Sequence, residues 1–222
     1  LKRTLFKTGD GSYTLHIPEW DEQYHSKHGA IAEALHVFIK EGLYHWFSKN
    51  KETEVSILEI GFGTGLNALL TFLETEKNPF KVHYTGVEAY PLEIGEIVKL
   101  NYTSLLNASE KIFLTMHHSP WEQISSISEN FQLTKQQKFF SEINSENSFN
   151  LIYFDAFGIR VQPELWTEEI FKKMYTALNP NGALVTYAAN GNARRAMQTV
   201  GFEVERLSGP PGKKEMLRGT KI

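Results

Sequence analysis

An apolar, β-type run, Val55-Ser56-Ile57-Leu58, leads into Glu59 and then into three glycines spaced two apart, Gly61, Gly63 and Gly65. A helical pattern follows from Leu66 to Leu73. Glycines at such a turn let the backbone bend sharply and approach a ligand that a Cβ would exclude. The helix start behind them offers N–H groups without intrahelical partners. The turn is built to hold a small cofactor against a strand end.

Spacing narrows the cofactor. The dinucleotide fingerprint is G-x-G-x-x-G, and here the third glycine falls one residue early. A phosphate-binding Walker loop ends in Gly-Lys-Ser/Thr, whereas Gly65-Leu66-Asn67 has no lysine. Glu59, two residues before the first glycine, would repel a polyphosphate and suits a cationic or neutral group. The form E-x-G-x-G-x-G resembles the first motif of class I S-adenosylmethionine-dependent methyltransferases.

The 222 residues suffice for one α/β domain with modest additions. No apolar run approaches the roughly 18 residues of a membrane helix, and no secretory pattern opens the chain. The absence of cysteine excludes disulfides, thiolate zinc sites and cysteine nucleophiles, and fits a cytoplasmic protein. The net charge of −3 argues against nucleic acid, but its distribution does not. From Arg194 to Ile222 seven basic residues face three acidic ones, a local charge of +4. A basic end on an acidic chain reads either as a phosphate-facing patch or as a solvated surface.

The chain opens as a hairpin, with Asp10-Gly11 as turn residues between Arg3–Lys7 and Tyr13–Ile17. A polar and aromatic loop, Pro18–His25, precedes a helix from Ala30 to Phe47. The latter carries the stripe Ile31, Leu35, Phe38, Ile39, Leu43, Trp46 and Phe47. Strands are then expected at 55–60, 82–87, 112–116, 151–154, 183–187, 202–207 and 214–218. Helices are expected at 66–73, 91–106, 164–178 and 192–200. The alternation predicts a Rossmann-like, doubly wound, mostly parallel sheet with helices on both faces and an antiparallel C-terminal edge hairpin. Residues 1–48 read as an N-terminal hairpin and helix packed on a core of 49–222. The Ser/Gln/Glu/Asn-rich stretch at about 122–148 reads as an irregular, helical insertion.

In such a sheet ligands bind beyond the carboxyl ends of the strands, where strand order reverses. Glu88 follows the second strand, 29 residues past Glu59, and its carboxylate suits two ribose hydroxyls. His117-His118-Ser119 follows the run read as the third strand, with no acid, so Ser119 or a backbone group is the expected substitute. The two histidines lack an apparent third partner, and no metal site is expected. Asp155 follows the fourth strand. In the usual strand order that strand neighbours the first, and Asp155 enters the crevice.

Several separated segments then resemble one family. They are Asp155-Ala156-Phe157 with Pro163-Glu164-Leu165-Trp166, Arg194-Arg195-Ala196-Met197 leading to Gly201-Phe202, and Gly212-Lys213-Lys214-Glu215-Met216-Leu217-Arg218-Gly219. Together with the glycine turn, they resemble the methyltransferase domain of the MnmC family, bacterial tRNA 5-methylaminomethyl-2-thiouridine biosynthesis proteins. The resemblance implies S-adenosyl-L-methionine as cofactor, held by Glu59, Gly61, Phe62, Gly63, Thr64, Gly65, Asn67, Glu88, Ser119 and Asp155. It implies methylation of the amine of 5-aminomethyl-(2-thio)uridine at the wobble position, in the anticodon loop of tRNA. Asp155 is then the catalytic candidate. Tyr153, Phe157 and Trp166, with Tyr24 and Tyr187 behind them, border the substrate, and Arg194, Arg195, Lys213, Lys214 and Arg218 meet phosphates.

The chain departs from the family in three ways. No acid follows the third strand, the D-G-F-A-P segment reads Asp155-Ala156-Phe157-Gly158-Ile159, and no second glycine fingerprint or length exists for the family's FAD-dependent oxidase domain. A separate oxidase is therefore expected as functional partner. Two other readings stay open: a class I methyltransferase or aminopropyltransferase-like enzyme acting on a small amine or a protein, and a non-catalytic tRNA- or cofactor-binding protein.

Overall fold

The computed structural model describes residues 2–222. A small antiparallel sheet contains β1 (Thr4–Lys7), β2 (Tyr13–Ile17) and β3 (Glu22–Gln23). The expected hairpin forms, with Gly11 at φ 86° in its turn. The stretch read as a loop also contributes β3, which pairs with the end of β2.

A second sheet contains β4 (Glu54–Ile60), β5 (Lys81–Val87), β6 (Ile124–Ser128), β7 (Phe131–Gln136), β8 (Phe149–Phe154), β9 (Leu178–Thr186), β10 (Phe202–Ser208) and β11 (Glu215–Lys221). Their order is β10-β11-β9-β8-β4-β5-β7-β6. From β4, the pairs β5 and β7 leave on one side and β8 and β9 on the other, all parallel. The strand order therefore reverses at β4, directly before the glycine turn. β10 and β11 close one side antiparallel, as the sequence predicts.

Residues 112–116 are not a strand. They lie in the helix Glu110–His118, whose N-cap Ser109 accepts from Ile112 N–H at 3.3 Å. Ile-Phe-Leu-Thr-Met suits a strand by composition, but only Phe113 and Met116 are buried, one helical turn apart. The third parallel strand lies instead inside the supposed insertion. There β6 and β7 form a hairpin, and β7 pairs with β5 from Val82↔Phe131 to Val87↔Gln136. The polar residues that masked β7 alternate with buried Phe131, Leu133 and Lys135. Lys135 Nζ donates to the His117 carbonyl at 2.5 Å and lies 4.7 Å from the Trp121 ring centroid, which clamps the helix end to the sheet. Burial pulls its pKa down to about 8.

Two other expected helices are interrupted. Residues 91–106 form two short helices, Ile94–Ile97 and Tyr102–Leu105. Asn101 between them is committed elsewhere: its Oδ1 accepts from Tyr13 N–H at 2.7 Å and its Nδ2 donates to Gly11 O at 3.0 Å. Residues 164–178 split into a 3₁₀ turn, Pro163–Trp166, and a helix, Glu168–Ala177, because Thr167 starts the latter as N-cap. The helix starting at Ala30 runs on to Lys49 and is π-wound over Leu35–Tyr44. The wider turn rotates the stripe, so Leu35 is exposed while Val37 is buried.

Each sheet face is covered. Val37, Phe38, Leu43 and Trp46 of the N-terminal helix and Leu66, Leu69 and Leu70 of the helix Leu66–Thr75 pack on Val55, Ile57, Val82, Tyr84 and Tyr153. Ile170, Phe171 and Met174, with Ala193 and Met197 of the helix Gly191–Thr199, pack on Leu58, Ile60, Ile152, Phe154 and Leu184. Among the described residues, no helix is long and apolar enough to cross a membrane.

Asn101 supplies two of the hydrogen bonds that dock the N-terminal hairpin on the core. Asn101→Ala is expected to lower unfolding stability by about 2 kcal/mol, measured by denaturant titration. An unchanged midpoint would show that the hairpin docks without it.

Candidate active site

The carboxyl ends of β4, β5 and β8 meet the N-terminal segment around a cavity of about 480 Å³. The glycine turn forms one wall, with Gly61, Gly63 and Gly65 at φ 92°, 48° and 72°. These are left-handed values that side chains strain to adopt. Gly61 N–H and Phe62 N–H both donate to Val87 O at 3.0 Å, fastening the turn to β5. A Cβ on Gly61 would stand 2.7 Å from the Asp155 carbonyl. Behind the turn, His117 Nε2 donates to Thr64 O at 3.1 Å, and burial holds this ring neutral by pulling its pKa down to about 4.

Glu88 lines the cavity with both oxygens already oriented. Oε2 accepts from Gly63 N–H at 3.0 Å and Oε1 from Tyr90 N–H at 2.9 Å. A carboxylate oxygen accepts more than one hydrogen bond, so each retains capacity for a ligand hydroxyl.

Asp155 lines the floor at the end of β8. Its N–H donates to Ile60 O at 2.9 Å, and Asn67 Nδ2 donates to its Oδ2 at 2.9 Å. The same Nδ2 donates to Glu59 Oε1, also at 2.9 Å. Glu59 is 1% exposed and does not line the cavity; it stands behind Asn67. Burial, reinforced by the Asp155 charge, raises the Glu59 pKa well above the usual carboxyl range. Burial raises that of Asp155 to about 7, with the Glu33 charge adding to it and Asn67 opposing.

The remaining wall comes from the chain's start, which sequence reasoning left largely unassigned. Arg3, Ile17, Trp20, Gln23, Tyr24 and His25 line the cavity. The Phe157 ring stands edge-on to Tyr24 at 4.9 Å and to Trp20 at 5.6 Å. The aromatic density of Pro18–His25 was the available signal. Tyr187 closes the far side, its hydroxyl donating to Ala156 O at 2.9 Å.

Other expected site residues lie elsewhere. Ser119 caps the helix Glu110–His118, donating to Met116 O at 2.8 Å, and does not line the cavity. The residues after the true third strand, Gln137 and Lys138, again include no acid. Tyr153 is fully buried in the core. Trp166 is buried and donates from Nε1 to Phe157 O at 2.8 Å, supporting that loop from behind. Arg218 is buried against Glu205 at 3.0 Å and Glu41 at 3.4 Å, so its charge is internally paired. Lys213 Nζ bonds Glu33 Oε2 at 2.6 Å and stands 3.7 Å from the Tyr187 ring centroid. Arg194 and Arg195 line neither this cavity nor its neighbour, whereas Lys214 is exposed beside the latter.

Residues 116–222 match the sequence profile of a family described as S-adenosyl-L-methionine-dependent methyltransferase. The bifunctional tRNA 5-methylaminomethyl-2-thiouridine biosynthesis protein MnmC of Leptospira interrogans is 30% identical over 216 residues, 91% of this chain. The chain carries this family's profile over its C-terminal part. It spans about a third of the length of the curated relatives it matches. In structure it superposes on MNMC2 from Aquifex aeolicus with a TM-score of 0.76 at 23% identity, covering 98% of this chain and 70% of that one. Spermidine synthase from Thermotoga maritima gives 0.52 at 14% identity, covering all of this chain and 72% of the other. Both likenesses are of fold.

The family's cofactor is S-adenosyl-L-methionine, and the cavity suits it. The cradle at Gly61 has no room for a Cβ, Glu88 offers two oriented oxygens, and the buried Asn67 Oδ1 has no partner among the described residues. Gly61→Ala, with its strained φ and 2.7 Å approach, is expected to weaken cofactor binding about tenfold or more by calorimetry. An unchanged Kd would separate the turn from the cofactor.

Proposed function

We propose that this chain methylates the amine of 5-aminomethyl-(2-thio)uridine at the tRNA wobble position, giving the 5-methylaminomethyl form. The observation that carries the reading is Asp155, a carboxylate raised by burial to a pKa of about 7 and held by Asn67 on the floor of an aromatic-walled cavity. The substrate is supported by the relatives, whose names describe tRNA 5-methylaminomethyl-2-thiouridine biosynthesis.

In this reading Gly61, Phe62, Gly63, Thr64 and Asn67 hold the cofactor and Glu88 its ribose. Gly65 and Glu59 act through the residues they support. Bound there, S-adenosyl-L-methionine would supply an electrophilic sulfonium methyl for the amine nitrogen, with the neutral thioether as leaving group. An alkylammonium has no lone pair, so a proton must leave before attack. Asp155 accepts or relays it, and its elevated pKa makes it a better base than an exposed carboxylate. Trp20, Tyr24 and Phe157 border the reacting groups, exclude water and stack on the base. An unstacked anticodon base is read in this way. Arg194, Arg195 and Lys214 are assigned to phosphates of the anticodon loop. The relatives are named as bifunctional, which supports a companion activity; we assign that part to an FAD-dependent oxidase.

Radiolabelled methyl from the cofactor is expected to enter tRNA lacking this modification, with 5-methylaminomethyluridine found by mass analysis of the nucleosides. Label in a small amine, and none in such tRNA, would overturn the assignment. Turnover is expected to rise with pH through about 7, as the Asp155 carboxyl ionises. Asp155→Asn should lower kcat about 100-fold or more and lose that limb, with cofactor affinity retained. An unaltered pH profile would remove Asp155 as the base.

A further inference from the structure

Beside the cavity described above lies a second, of about 460 Å³, which no step so far uses. The two share Tyr187 as a wall. Gly158, Ile159, Ala188 and Ala189 give the second an apolar lining. Arg160, Lys213 and Lys214 give it a cationic rim, against Glu215 as its acidic member.

The charges on that rim are not all internally committed. Glu215 faces Arg206 at 3.7 Å. The hydrogen bonds of Arg160, to Trp20 O, Asp21 O and Glu22 Oε2, all leave from Nη2. Its Nε and Nη1 have no partner among the described residues. Lys214 is exposed and makes no salt bridge among the described residues. Lys213 has a different task. Paired with Glu33 and seated over the Tyr187 ring, it holds the dividing wall.

An apolar floor inside a cationic rim complements a planar, uncharged ring carried on an anionic backbone. That is the chemistry of an unstacked nucleobase with its phosphate. Two cavities divided by one aromatic ring suit successive bases of a single strand. We propose that the second cavity receives the base adjacent to the methylated uridine; this rests on the RNA-methylating reading above. Arg160 and Lys214 meet the phosphate between the two nucleotides. The same cavity then explains how a small catalytic pocket selects a loop sequence rather than any aminomethylated uridine.

Gly158 allows a clean test. It lines the second cavity and not the first. Among the described residues a Cβ there would meet only the Tyr187 hydroxyl, at 3.7 Å, so a side chain enters without backbone strain. The substrate is an anticodon stem–loop RNA carrying 5-aminomethyluridine, with 2-aminopurine in place of the base on its 5′ or its 3′ side. With the whole chain, one of the two RNAs should change fluorescence on binding. Gly158→Leu should abolish that change and raise KM for the stem–loop about tenfold, with kcat and cofactor Kd retained. Gly158→Ala should behave as the parent. No fluorescence change from either position, or an unaltered KM in Gly158→Leu, would overturn the subsite. Absence of methyl transfer to the stem–loop by the parent chain would instead overturn the RNA substrate itself.

Discussion

One amide organises this site. Asn67 Nδ2 donates at once to Glu59 and to Asp155, at 2.9 Å each. The two carboxylates come from the ends of adjacent strands, β4 and β8, and Asn67 from the first turn of the helix that follows the glycines. Without a donor between them, two like charges would share a poorly solvated space, where repulsion is several times stronger than in water. The bridging amide favours the ionised forms, while burial opposes them. The balance leaves Asp155 near neutrality, where a carboxyl both holds and releases a proton. Backbone bonds from Asp155 to Ile60, and from Gly61 and Phe62 to Val87, lock the three strand ends in the same register.

The two ends of the chain complete what the strand ends begin. The N-terminal hairpin is docked through Asn101, and the loop after it brings Trp20, Tyr24 and His25 over the cavity. From the other end, Lys213 reaches Glu33 across 180 positions of sequence and braces Tyr187. Sealing the cavity in this way has an electrostatic consequence. Exclusion of water by these walls raises the Asp155 pKa, and the Lys213 charge opposes that rise without overcoming it. The enclosure and the basicity of the carboxylate therefore have one cause.

The legible parts of the site were those whose chemistry is local. Three alternating glycines after a β run permit a left-handed backbone that other residues resist, whatever the surroundings. An acid directly after a strand reaches the ligand side of the sheet once the topology is doubly wound. Glu88 and Asp155 could therefore be located before their partners were known. The segment 110–118 could not be. Its five apolar and β-branched residues fit a strand as well as a helix, and the Ser109 cap and the Lys135 clamp decided between them. The strand β7 was hidden for the converse reason. Its alternation is carried by only Phe131, Leu133 and a buried lysine, and its hydrophilic neighbours suggested an irregular insertion. The tail shows the limit of charge counting. Arg218 and Lys213 belong to a basic run, yet one is paired within the core and the other is held in a wall.

By itself the sequence determined the glycine turn, the acids at two strand ends and the alternation that makes a doubly wound sheet. These follow from backbone conformation and side-chain periodicity, which act over a few residues. Only the tertiary structure decided that Glu59 stands behind Asn67 rather than at the ligand. It alone decided that the N-terminal loop supplies the aromatic wall, and that Tyr187 divides two cavities. Those outcomes depend on which distant surfaces meet and exclude water, and so on packing across the whole chain.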